Sequence, residues 1–108
     1  MSDLKDLLTR AKDIRKKYEE LNAKEGKAFW EAKDYAMGFV GDVGDLIKLV
    51  MAKENLRTIE DTDAKLAHEL ADCLWSTLIM ASHYGIDLEK EFLHTMDDIE
   101  KRITEAHA

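Results

Sequence analysis

Proline is missing from this sequence, and glycine occurs only five times. Proline breaks helices and glycine weakens them, so their scarcity favours long uninterrupted helices over a turn-rich β fold. There is one cysteine, Cys73. That excludes an intrachain disulfide framework and a thiolate zinc site, and it fits a reduced, cytoplasmic setting. No apolar run approaches the ~20 residues of a membrane span. The opening M-S-D-L-K-D-L-L lacks the apolar core of a signal peptide. No membrane partner is expected. Basic residues are also short, 16 against 23 acids, for a net charge of −7. Phosphate-backbone binders need basic patches, so no nucleic-acid partner is expected. An acidic chain can still take a small phosphorylated substrate, because acids hold cations and cations hold phosphates.

What remains is a chain of 108 residues with 45% hydrophobic and 36% charged content. That suits one folded domain over residues 1–108 with one core. Four helices are expected. The first follows Ser2 as a cap and runs from about Asp3 to Asn22, with an inner stripe of Leu4, Leu7, Leu8, Ala11, Ile14, Tyr18 and Leu21. Gly26 breaks the chain. The second runs from about Phe29 to Glu54, with Phe39, Val43, Leu46, Ile47 and Val50 inward. Gly38, Gly41 and Gly44 recur along it, and each costs roughly 1 kcal/mol of helix stability. Their repetition leaves two readings, a tight helix crossing or room for a ligand. The third is capped by Asp61 or Thr62 and ends at Tyr84 and Gly85. Asp87 caps the fourth, which runs to about Glu105 with Leu88, Phe92, Met96, Ile99 and Ile103 as its stripe.

The third helix is apolar nearly all round from Leu70 to Ala81, so it must be covered on several sides, in part by a second subunit. Two carboxylates open this run. Glu69 and Asp72 are three residues apart, on one helical face. A buried carboxylate is costly unless paired, hydrogen-bonded or bound to a metal. Asp42 and Asp45 repeat the spacing within V-G-D-V-G-D-L-I. Spacing alone is a weak signal, because with 23 acids it arises by chance roughly one time in five. Glu60 and Asp63 also satisfy it, at a helix start. Antiparallel neighbours would bring Asp42, Asp45, Glu69 and Asp72 together, enough oxygen ligands for two Mg2+ ions. The alternative is that these acids simply pair with Lys48, Lys53 or Lys65. Glu91 and His94 form a single Glu-x-x-His, where a di-iron bundle needs two.

At these residues the sequence resembles a known family. G-D-V-G-D-L-I-K-L, H-E-L-A-D-C-L-W-S-T-L-I-M-A and Y-G-I-D-L-E-K-E-F are similar to the all-α nucleoside triphosphate pyrophosphohydrolases of the MazG-like superfamily. The likeness covers about Ala36 to Arg102. It implies an all-α bundle of four to five helices, a dimer or dimer of dimers, and Mg2+, with Mn2+ as a substitute. It also implies hydrolysis of a nucleotide between its α- and β-phosphates, releasing a monophosphate and pyrophosphate, as in house-cleaning of nucleotide pools. Carried over, Glu69 and Asp72 match the family's second acid pair. Asp42 and Asp45 stand where it has two glutamates, and Gly41 where it often has a third acid. The family's lysine and asparagine on the last helix fall at Thr95 and Ile99, so neither is kept; Lys101 and Arg102 remain.

The resemblance makes Asp42, Asp45, Glu69 and Asp72 the metal ligands, with Glu69 and Asp45 serving the chemistry. Water oriented by one of these carboxylates attacks the α-phosphorus. Lys48, one turn after Asp45, either touches a phosphate or is simply a solvated lysine. Trp30 is the first choice for stacking the base, ahead of Phe29, and Trp75 either lines the same slot or belongs to the core. The departures from the family's pattern support a second reading, a weak or inactive dimeric module with an interaction or regulatory role.

Overall fold

The computed structural model describes residues 3–107. The chain forms four helices, α1 Leu4–Lys24, α2 Ala32–Lys53, α3 Thr62–His83 and α4 Leu88–Ala106, with no strand among the described residues. None is long and apolar enough to cross a membrane.

The helix starts are set by local chemistry. Ser2, the expected first cap, lies outside the described residues; Asp3 does the capping, its carboxylate accepting from the Asp6 N–H at 2.9 Å. α2 begins three residues later than expected. The Glu31 N–H donates to the Asp34 carboxylate at 2.8 Å, a reciprocal cap that fixes the start there. Phe29 and Trp30 therefore stay in the lead-in segment and not on the helix. α1 runs two residues past Asn22, and Gly26 follows with φ +69°. Asp61, at φ 53°, turns the chain into α3, and Gly85, at φ +65°, ends it. Asp87 caps α4 by accepting from the Lys90 N–H at 3.2 Å.

α2 and α3 form the main packed pair, and α1 lies against α3. The core gathers Ala11 from α1, Tyr35 from α2, and Leu78 and Ile79 from α3. α3 is thus central, and Ile79 is completely buried. The cover expected for its other faces is incomplete within one chain, since Leu70 and Leu74 are exposed. Several members of the expected stripes are exposed too, among them Leu7, Tyr18 and Leu21 on α1 and Ile47 and Val50 on α2. On α4, Leu88 packs on the core, while Phe92, Met96, Ile99 and Ile103 line one exposed apolar face. The radius of gyration is 17.3 Å. A compact chain of this length would have about 13 Å.

Candidate metal centre and the adjoining pocket

α2 and α3 run antiparallel, so residues late in one face residues early in the other. Asp42 of α2 meets Glu69 and Asp72 of α3, and carboxylate oxygens of the three lie within 4.8 Å of one another. The α3 pair is held by helix geometry alone, being three residues apart. Asp42 is placed by packing. Each of the three is half-buried. The Glu69 Oε2 atom is buried and has no hydrogen-bond partner. Such an oxygen is normally satisfied, so its isolation calls for a ligand. His68 reaches across to Asp72, Nε2 to Oδ2 3.2 Å, from a largely exposed position.

The electrostatics agree with this crowding. Desolvation pushes the Asp42 carboxyl above its ordinary range, and the charges of Asp72 and Asp45 push it further, partly offset by His68. Glu69 is raised by desolvation first, then by Asp42, Asp72 and Asp45, again partly offset by His68. Cys73 is raised by burial and by the same acids. Its thiol is thereby kept protonated and unreactive. Carboxylates that repel one another at close range are a favourable place for a cation, and an all-oxygen donor set suits Mg2+ or Mn2+. These residues fit such an ion.

The four acids named from the sequence are not equivalent. Asp42, Glu69 and Asp72 come together, whereas Asp45 stands outside the trio, exposed at its edge. Lys48 lies beyond Asp45, in a hollow also lined by Glu69. Lys53, a possible partner for the acids, instead binds Asp63 at 2.7 Å.

On the other side of the acids is an aromatic pocket of about 450 Å3. Trp30, Tyr35 and Trp75 wall it, with ring centroids 5.3 Å apart for Trp30–Tyr35 and 6.4 Å for Tyr35–Trp75, both edge to face. Tyr18, Glu19 and Asn22 of α1 complete it, with Lys27 from the turn after α1. The Arg15 guanidinium lies 5.6 Å from the Tyr35 ring centroid and binds Glu19 at 3.2 Å. Phe29 does not line the pocket. The Trp30 indole rests on Gly38, where an added Cβ would lie 3.2 Å from the ring. Of the three helical glycines only Gly38 is crowded, since Cβ atoms on Gly41 and Gly44 would meet nothing within 4 Å.

Sequence reasoning found Trp30 and Trp75 but not Tyr35, Glu19 or Asn22. Tyr35 carried a usable signal: it is seven residues before Asp42, two turns along the same face of α2.

The residues that make the trio also lie within a family match. Residues 40–107 match the MazG nucleotide pyrophosphohydrolase domain, well over half of the chain. The chain belongs to the MazG family. Its members are nucleotide pyrophosphohydrolases, which is a hydrolase chemistry. The match takes in Asp42, Asp45, Glu69 and Asp72 together with all of α3 and α4. It leaves out α1, Trp30 and Tyr35, so the family resemblance describes the acids and not the pocket's α1 side. No individual curated protein matches the chain.

Proposed function

We propose that this MazG domain hydrolyses a nucleoside triphosphate between the α- and β-phosphates, with Mg2+ or Mn2+ held by Asp42, Glu69 and Asp72. The observation that carries the reading is the trio itself, with Glu69 Oε2 buried and unpartnered at its centre. Asp45, at the edge of the trio, completes the set when the nucleotide is bound. A bound divalent cation supplies Lewis acidity to the phosphoryl oxygens. The protein's own residues do the rest. Glu69, whose buried Oε2 has no hydrogen-bond partner in the protein, takes the proton of the attacking water. Asp45 orients that water from the exposed side. Trp30 and Trp75 hold the base, and Lys48 meets a phosphate. The reaction belongs to cytoplasmic nucleotide-pool cleaning.

The acting species is a self-assembled dimer or dimer of dimers. Phe92, Met96, Ile99 and Ile103 of α4 form an apolar row with no cover, and Val40 and Ile47 of α2 are exposed as well. Uncovered faces of this extent mark an association surface.

Magnesium-dependent pyrophosphate release from a panel of ordinary and modified nucleoside triphosphates tests the activity. Release from at least one member is expected. No release across the panel, together with no rise in melting temperature on adding Mg2+, would sink the enzymatic reading and leave a dimeric interaction module. Light scattering after gel filtration tests the assembly, and a monomer at micromolar concentration would refute it.

A further inference from the structure

The hollow on the far side of the acids from the aromatic pocket measures about 490 Å3. Asp45 and Glu69 form its edge toward the trio, and Ile59 and Asp61 line it from the segment before α3. Lys48 of α2 and Lys65 of α3 line it from the two helices, with His68 beside them. Lys27, Lys33 and Lys53 are each engaged by a nearby acid. Lys48 and Lys65 form no ion pair among the described residues, although acids surround them. Lysines whose role was to neutralise the acids would be paired with them. These two are exposed and free to meet an anion.

We infer that this hollow takes the β- and γ-phosphates, and so the pyrophosphate product, which fixes the direction of the substrate on the helix pair. This deepens the proposed function and rests on it. The three features follow one another along α2 and α3. Tyr35 and Trp75 stand at one end, Asp42, Asp72 and Glu69 in the middle, and Lys48 and Lys65 at the other. From Trp75 to Lys65 is ten residues of α3, about 15 Å at 1.5 Å per residue. That is the length of an extended nucleoside triphosphate. A base at Trp75 puts the α-phosphate at Asp72 and Glu69 and the remaining phosphates between the lysines. The reverse direction would put the polyphosphate against indole rings and the base among ammonium groups. Two lysines from different helices lining one hollow suit a flexible polyanionic group, each as a point charge. They also occupy the role left open by Thr95 and Ile99, which carry no charge and lie on α4.

Calorimetric binding of inorganic pyrophosphate, and separately of the four common deoxynucleoside monophosphates, in the presence of Mg2+ tests this directly. Lys48→Gln/Lys65→Gln should weaken pyrophosphate about a hundredfold, roughly tenfold for each lysine, and leave the monophosphates unchanged. Trp30→Ala should do the opposite. Both lysines are exposed, so the variant folds, which circular dichroism checks. Unchanged pyrophosphate affinity in the lysine variant overturns the assignment. So does equal loss of both ligands, or a wild-type protein that binds no pyrophosphate. A wild type that binds pyrophosphate through these lysines but releases none from any triphosphate leaves the hollow standing and removes the proposed activity instead.

Discussion

The acid trio and the aromatic pocket share the same helix pair, yet the chain arrives at them by different routes. Glu69 and Asp72 are three residues apart, and any α-helix puts them side by side. Only Asp42 has to be brought in, by the pairing of α2 with α3. The pocket has no such local seed. Trp30 comes from an extended segment, Tyr35 from α2, Trp75 from α3, and Glu19 and Asn22 from α1. The family match follows the same division, covering the trio and stopping short of Trp30 and Tyr35. Two of the three candidate cation ligands thus come from a short-range motif, and the aromatic pocket is assembled from distant parts.

The strongest test of that division is at the trio. Glu69→Gln is expected to lower turnover by about a thousandfold, roughly 4 kcal/mol in barrier, measured by pyrophosphate release. The same change should leave the melting temperature of the metal-free protein equal or higher, because it removes a buried charge without a partner. Full turnover in this variant would break the metal assignment.

Trp30→Ala probes the other half. Losing one stacking partner costs about 1–3 kcal/mol, so KM should rise roughly tenfold with little change in turnover. The Mg2+ dependence of the melting temperature should stay that of the wild type. A parallel loss of Mg2+ response would show that the two sites are not separable.

Acidity gives a third test, confined to the trio. Asp42 and Glu69 are raised above their ordinary values of 3.8 and 4.5. The folded protein therefore binds protons at these groups more tightly than the unfolded chain. Their contribution to stability falls as pH climbs from those ordinary values through the raised ones, and it is fully lost above them. A cation replaces the lost protons. Mg2+ should raise the melting temperature more at pH 7.5 than at pH 5, and an equal increment at both would contradict the cause given for the shifts.

The smallest effect separates two glycines on α2. Gly41→Ala should stabilise the helix by about 1 kcal/mol, since its Cβ meets nothing within 4 Å. Gly38→Ala should gain less, because the Trp30 ring at 3.2 Å has to move. Chemical denaturation resolves the difference. A loss of stability at Gly41 would contradict the open space around it.

Much of this was legible in the residues. The absence of proline, the three-and-four spacing of apolar residues and the cap at Asp87 forecast four helices close to their observed bounds, although Asp61, one of the two caps expected for α3, makes no side-chain capping bond. The start of α2 was not legible. The glutamate-and-aspartate cap at Glu31 outweighs the helical look of F-W-E-A, and it leaves Trp30 free to fold back over Gly38. The exposed row on α4 is consistent with its sequence pattern, which demands burial without saying by what.

By itself, then, the sequence determined the helices, the placing of Glu69 beside Asp72 and the kinship with MazG domains, because each depends on neighbours within a few turns of one chain. Tertiary structure decided which of Asp42 and Asp45 joins that pair, which aromatic rings make a pocket and which lysines stay unpaired. Those outcomes depend on how α1, the lead-in to α2 and the two long helices pack, and no spacing along the chain encodes that packing.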